Sequence, residues 1–293
     1  MTSNPTVYVV TPVHNRWRYT GPFLKCLSQQ TWSQLTIVIV DDGSTDGTSE
    51  HIRTRFPRVV LLRGDGNLWW TASVNTGIRW VLERASPSDY VLVMNDDLEV
   101  DPPFVERLLR FALQHPRGLI GAPTVAIEGD GRIEDGGVLL NLWTAKLRLL
   151  NHGSSIRDFP PGHFERPSYL TGRACLIPVE AFRQVGLYDE AHFLNCGDTE
   201  LPVRARKRGY DLFICYDAVV RSHVEAVAPE NLNRNYSLGT LREYFFGVKS
   251  YARLNYRFSF ARTAAGPNPL RFVSYLTFDL LRLTVHFVRG LRR

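Results

Sequence analysis

The chain has 293 residues, 44% of them hydrophobic and 22% charged, enough to bury a sizeable core as one large α/β domain or a domain with an appendage. No apolar run reaches the roughly 18–20 residues of a membrane span, and the first five residues carry no secretory pattern. Cys26, Cys175, Cys196 and Cys215 show neither zinc spacing nor a disulfide framework, so a reduced, cytoplasmic protein is expected. The net charge of +6 is uneven. Residues 230–293 hold eleven Lys or Arg against Glu230, Glu243 and Asp279, a net +8, which leaves the remainder at about −2. A near-neutral body argues against nucleic acid as a partner, while a basic tail suits an acidic surface.

In chain order, short β-rich runs alternate with helical patterns. Residues 7–10 form an apolar run, 23–30 read as a helix, and 35–40 (LTIVIV) suit a strand buried on both faces. Helical patterns recur at 48–55, 72–84 and 103–115, and strand patterns at 59–62, 90–94 and 119–122. This alternation predicts a parallel sheet with helices on both faces. Residues 127–167 read as irregular connections with a few antiparallel strands. Helices are expected at 178–185 and 200–208, strands at 212–215 and 218–220, and a basic helical pattern from 238 onward.

In such a sheet, ligands bind beyond the carboxyl ends of the strands. Three polar clusters fall there: Thr11-Pro12-Val13-His14-Asn15-Arg16, then Asp41 to Thr48 (DDGSTDGT), then Asn95-Asp96-Asp97. The second is also a plain turn and helix cap, but two acids after an apolar strand can accept from a base N–H or ribose hydroxyls. The third offers oxygen ligands to a hard divalent cation, and a departing diphosphate needs its charge neutralised. Trp69-Trp70, beside Gly64, Gly66 and Asn67, suits core packing or stacking on a sugar or base. Asn75 and Gly77 lie about a helical turn further on and can face the same cleft. Asp198 reads as a helix cap or an acid of the site, and His223 as structural or a ligand.

Taken in order, TPVHNR, DDGSTDGT, GNLWWTASVNTGI, MNDD, TGRACLIPVEAF, GDTELPVRARKRGY and AVVRSH resemble the family 2 glycosyltransferases, and among them rhamnosyltransferase-like enzymes of bacterial glycan assembly. The resemblance runs from about residue 7 to 223, roughly three quarters of the chain. It implies a GT-A fold: a Rossmann-like, doubly wound, mostly parallel sheet with a small antiparallel section, followed by C-terminal helices. The implied catalytic domain is 1–228 and the basic helical extension 229–293. The resemblance places Thr11, Pro12, Asn15 and Asp42 on the nucleotide, with Asn67 and Asn75 lining the donor pocket and Asp96 near the ribose; Trp70 joins the donor-binding set through the stacking its Gly-rich loop suits. It assigns Asp97 and His223 to a divalent metal, Mn2+ or Mg2+, and Asp198 to the general base of an inverting transfer. The implied donor is a UDP- or dTDP-sugar and the acceptor a glycan or lipid-linked glycan. The chain departs from the pattern at Asn95, where the family has Asp, at Gly197, where many relatives have Glu, and at Trp69-Trp70, where glycines are frequent. The departures at Asn95 and Gly197 keep a non-catalytic nucleotide-sugar or glycan-binding protein as the alternative. A nicotinamide-dependent oxidoreductase is disfavoured, because the first strand lacks the Gly-x-Gly-x-x-Gly turn.

In the tail, Leu270, Val273, Leu276, Leu280, Leu283, Phe287 and Leu291 recur at helical spacing with Arg271, Arg282, Arg289 and Arg293 on another face. Such a helix can lie peripherally on an anionic membrane, pack on the catalytic domain, or join a homodimer.

Overall fold

The computed structural model describes residues 4–128, 130–223, 236–248 and 250–291. The chain runs β1 (Val7–Val13), α1 (Trp17–Ser28), β2 (Leu35–Asp41), α2 (Thr48–Arg55), β3 (Val60–Arg63), α3 (Trp69–Leu82), β4 (Tyr90–Met94), β5 (Leu98–Glu99), α4 (Phe104–Gln114) and β6 (Gly118–Gly121). Short strands follow at β7 (Thr124–Ala126), β8 (Ile133–Asp135), β9 (Val138–Leu140), β10 (Leu147–Leu149) and β11 (Phe164–Glu165). Then come β12 (Ala174–Pro178), α5 (Val179–Val185), α6 (Gly197–Lys207), β13 (Asp211–Cys215) and β14 (Val220–Ser222), and last α7 (Leu241–Phe246), α8 (Leu254–Ala265) and α9 (Pro269–Gly290).

Among the described residues the main sheet has eight strands in the order β11-β13-β6-β12-β4-β1-β2-β3. The pairings β3-β2, β2-β1, β1-β4 and β6-β13 are parallel, whereas β12 runs against both β4 and β6. The fold is thus the mostly parallel α/β architecture that the strand–helix alternation predicts. The period of two sorts β1 between two cores: Val7 and Val9 face α1 and α4, while Tyr8 and Val10 face α3. A four-stranded sheet, β5-β14-β7-β8, carries the residues just after β4 and the end of β14 side by side.

The structure differs from the sequence expectation in three places that matter for the site. Trp69 and Trp70 open α3 instead of ending a loop. Residues 174–178 form a central strand, hidden in the sequence because its apolar run leads straight into α5. The helix expected from 200 starts at Gly197, which puts Asp198 in its first turn.

The C-terminal helices are part of the body. Phe260, Ala261, Ala264 and Tyr275 share a core cluster with Leu140, Ala145, Phe193 and Val203. The expected boundary at 228/229 lies outside the described residues.

Candidate active site

Because β4, β1 and β2 are neighbours and parallel, their carboxyl ends bring the three polar clusters to one edge. They border a cleft of about 410 Å³ lined by Pro12, Val13, His14, Arg16, Asp42, Gly66, Trp69, Trp70, Ser73, Asn95, Asp96 and Asn195. Of the residues expected at the donor site, Pro12, Asp42, Trp70 and Asp96 line this cleft. Thr11 is fully buried in β1, and its hydroxyl has no hydrogen-bond partner among the described residues. Asn67 is exposed, its N–H turned to Asp65.

Two of the expected donor residues hold loops in place. The Asp42 carboxylate accepts from Gly66 N at 2.8 Å, Leu68 N at 3.0 Å and Trp69 N at 3.1 Å, and so fixes the entry to α3. Trp69 is held there at φ +59°, a conformation costly for a bulky side chain. Asn15, at φ +51°, accepts from Thr45 N at 2.7 Å and Asp46 N at 3.3 Å. His14 Nδ1–H donates to the Asp42 carbonyl at 2.5 Å, and Asn15 Nδ2 donates to His14 Nε2 at 3.1 Å.

Asn75 and Gly77 do not reach the cleft. Asn75 is buried and clamps the chain after α5: its Nδ2 donates to Tyr188 O at 2.9 Å and Glu190 Oε2 at 2.7 Å, and its Oδ1 accepts from Tyr188 N at 3.1 Å. Gly77 lets α3 press on β1, since a Cβ there would lie 2.5 Å from Val10 Cγ1.

At the end of β4, Arg16 spans two acids, with Nε 3.0 Å from Asp96 Oδ1 and Nη2 3.0 Å from Asp97 Oδ2. Burial pushes the Asp96 carboxyl up to about 6, against the pull of Arg16 and the hydrogen bond from Thr20 Oγ1 at 2.7 Å. His223 N donates to Asp97 O at 3.1 Å, so the two expected metal ligands are adjacent through the main chain. Carboxylate oxygen and imidazole nitrogen fit a divalent cation in type. Yet His223 Nε2 sits 3.3 Å from Glu99, and among the described residues no three His, Cys, Asp or Glu side chains gather as a metal cluster.

Asp198 lies at the N-terminus of α6, partly exposed, where Gly172 N donates to its Oδ2 at 2.7 Å. Desolvation raises its carboxyl to about 6, although backbone N–H groups and Arg173 oppose the shift. Gly172 packs close to both Trp70 and Asp198: a Cβ there would lie 2.7 Å from Trp70 Cζ2 and 3.1 Å from the Asp198 Cβ. Gly197 packs on α3, where any Cβ would meet Thr71 at 2.8 Å, so the acid that many relatives carry has no room here. Sequence reasoning missed Arg16, His14 and Gly172. Arg16 and His14 stood inside the quoted TPVHNR string, but their partners are distant in sequence.

A family model for glycosyl transferase family 2 matches residues 8–164. The chain belongs to this family. It is 31% identical over 212 residues to N-acetylglucosaminyl-diphospho-decaprenol L-rhamnosyltransferase of Mycobacterium tuberculosis, covering 64% of this chain and 66% of that protein. It is 32% identical over 181 residues to the succinoglycan biosynthesis protein ExoA of Rhizobium meliloti, covering 61% and 51%. The chain therefore spans just under two thirds of the mycobacterial relative and about half of ExoA. Among solved structures, it superposes on the mannosyltransferase PcManGT from Pyrobaculum calidifontis, in complex with GDP-Man and Mn2+, with a TM-score of 0.59 at 14% identity, covering 99% of this chain and 73% of that one. For GalNAc-T7 with UDP, GalNAc and Mn2+ the TM-score is 0.60 at 16% identity, covering 94% and 55%. At those identities the likeness is one of fold, and the fold is GT-A. The family match holds the donor-side clusters but ends before Asp198 and His223.

Proposed function

We propose that this family 2 glycosyltransferase moves a sugar, with inversion, from a UDP- or dTDP-sugar to a hydroxyl of a glycan or lipid-linked glycan. The observation that carries the reading is Asp198: a carboxyl held by backbone N–H groups, Gly172 N among them, beside the cleft and lifted to about 6 by burial. A base poised there takes the acceptor hydroxyl's proton near neutral pH as the oxygen attacks the anomeric carbon from the face opposite the nucleotide. The sugar–phosphate bond breaks, and the diphosphate leaves toward the cleft edge at Asp96. Trp70 and Trp69 offer faces to the donor, while Asp42 and Asn15 shape the loops around it. Asp97 and His223 would hold a divalent metal, which supplies positive charge to the leaving diphosphate when bound. Arg16 must then share or yield Asp97. The name of the mycobacterial relative makes a polyprenyl-diphosphate-linked sugar the acceptor to try first, and L-rhamnose the sugar.

The lipid-linked acceptor also accounts for the outer face of α9. Leu276, Leu280, Leu283 and Phe287 pack inward, while Leu270, Val273, Phe278, Leu281, Val285 and Val288 are exposed beside Arg289. Among the described residues no helix is long and apolar enough to cross a membrane. A surface of this kind rests on an anionic lipid interface through apolar burial and Arg–headgroup attraction. The basic extension then anchors a catalytic domain that holds every residue assigned to the reaction.

The test is a thermal-shift screen against UDP and dTDP, with and without Mn2+, followed by transfer assays on Asp198→Asn. Nucleotide stabilisation in both proteins, with turnover lost only in Asp198→Asn, is expected. Turnover without loss removes Asp198 from the role, and nucleotide-dependent stabilisation without any transfer by the parent chain favours the binding-protein alternative.

A further inference from the structure

Asn95 takes the first place of the acidic triplet, and its side chain is oriented by a neighbour that only donates. The Trp70 indole Nε1–H lies 2.9 Å from Asn95 Oδ1. An indole cannot accept, so the amide oxygen and not the nitrogen faces Trp70. The amide is planar, which turns Nδ2 and its two N–H groups to the other side. Asn95 lines the cleft together with Arg16 and Trp70, and among the described residues no acceptor is bonded to its Nδ2. An aspartate at this place would add a third carboxylate directly before Asp96 and Asp97 in the chain. The amide offers donors and no charge instead, and a nitrogen without a free lone pair is not a cation ligand.

The same indole reaches toward the base. Its Cζ2 packs against Gly172, where a Cβ would lie only 2.7 Å away, and the N–H of Gly172 holds the Asp198 carboxylate. Trp70 also meets Tyr188 edge-on at 5.8 Å between ring centroids, which fixes the ring plane. One rigid side chain therefore spans the distance from the cleft amide to the residue that positions Asp198.

We propose that Asn95, oriented by Trp70, donates a hydrogen bond to an oxygen of the nucleoside diphosphate-sugar, and that Trp70 sets the spacing between this contact and Asp198. The inference rests on the reading of the cleft as the donor site. The oxygen belongs to the diphosphate or to the transferred sugar, and both offer acceptors to an amide. Position 95 thus serves to recognise the donor where the family pattern has a metal-motif acid. Besides the face it offers the donor, Trp70 has a positioning role, acting through Asn95 and Gly172.

The test measures binding of dTDP, UDP and dTDP-rhamnose by calorimetry to the parent chain and to Asn95→Asp, Asn95→Ala, Trp70→Phe and the Asn95→Ala/Trp70→Phe pair, in EDTA and in Mn2+. Asn95→Asp replaces the donor by an anion and is expected to bind about tenfold or more weakly. Trp70→Phe keeps the ring but frees the amide, with a several-fold loss that vanishes in the Asn95→Ala background, because the two act as a unit. Trp70→Phe also lowers kcat more than affinity, through the contact with Gly172. Loss toward bare dTDP or UDP assigns the oxygen to the diphosphate, and loss toward dTDP-rhamnose alone assigns it to the sugar. Unchanged affinity in Asn95→Asp, or tighter binding than the parent in Mn2+, overturns the proposal. A parent chain that binds none of the three ligands overturns the donor-site reading itself, a different result from a parent that binds and a variant that matches it.

Discussion

At the edge of β1, β2 and β4 the carboxylates of Asp41, Asp42, Asp96 and Asp97 each have partners within the chain, whereas the outward face of α9 leaves five aliphatic side chains and Phe278 without cover. The first region gathers charges whose approach is unfavourable unless each is answered, and Arg16, Thr20 and the N–H groups of the loops answer them. Asp198, in the first turn of α6, takes its carboxylate hydrogen bonds from backbone N–H groups, and it is the acid expected to exchange a proton. The second region has its inner face satisfied by packing and its outer face unfinished. A polar cleft is shaped for a ligand that brings charge, and an apolar surface for one that brings none.

The sharpest break of this contrast is Asp198→Asn, which should lower kcat by about 10²–10⁴-fold with nucleotide affinity retained, read by transfer assay and calorimetry. Next, the two faces of α9 should separate on truncation. Phe287→Ala, on the buried face, should cost about 3–5 kcal/mol in denaturant unfolding, and equal losses from the exposed Leu281→Ala would erase the distinction. Gly197→Glu, which restores the acid of many relatives, should cost about 1–3 kcal/mol because it drives into Thr71, and a neutral result would show that α3 and α6 can part.

The pH response has a definite sign. The Asp198 carboxyl is raised from 3.8 to about 6, so the stability tied to its protonated form is complete below about 3.8 and is lost as pH rises through about 6. Activity should climb over that upper limb, since the base must be ionised, and at pH 8 Asp198→Asn should be more stable than the parent by about 1–2 kcal/mol after allowance for its partial exposure. The smallest stability effect belongs to Leu281→Ser with Val285→Ser, within about 0.5 kcal/mol. That pair should nonetheless abolish sedimentation with phosphatidylglycerol vesicles while sparing nucleotide binding. Retained sedimentation would free α9 of the membrane role and turn attention to self-association by ultracentrifugation.

The sequence by itself determined the strand–helix alternation, β4 and α2 at the bounds expected, and the three polar clusters at strand ends, because period, β-branching and turn residues are local properties. It also placed the family, through motifs whose order survives without coordinates. Only the tertiary structure decided which polar residues face the cleft. Asn75 looked like a pocket residue and became a clamp on Tyr188, Gly77 became a contact with Val10, and Arg16 became the bridge between Asp96 and Asp97. Those outcomes depend on partners 67 to 113 positions away, which the pairing of β1 with β4 and the packing of α3 against the sheet bring near and no local pattern encodes. The tail shows the same division: helical spacing was legible, but the choice of buried face was made by α8 and the body it packs against.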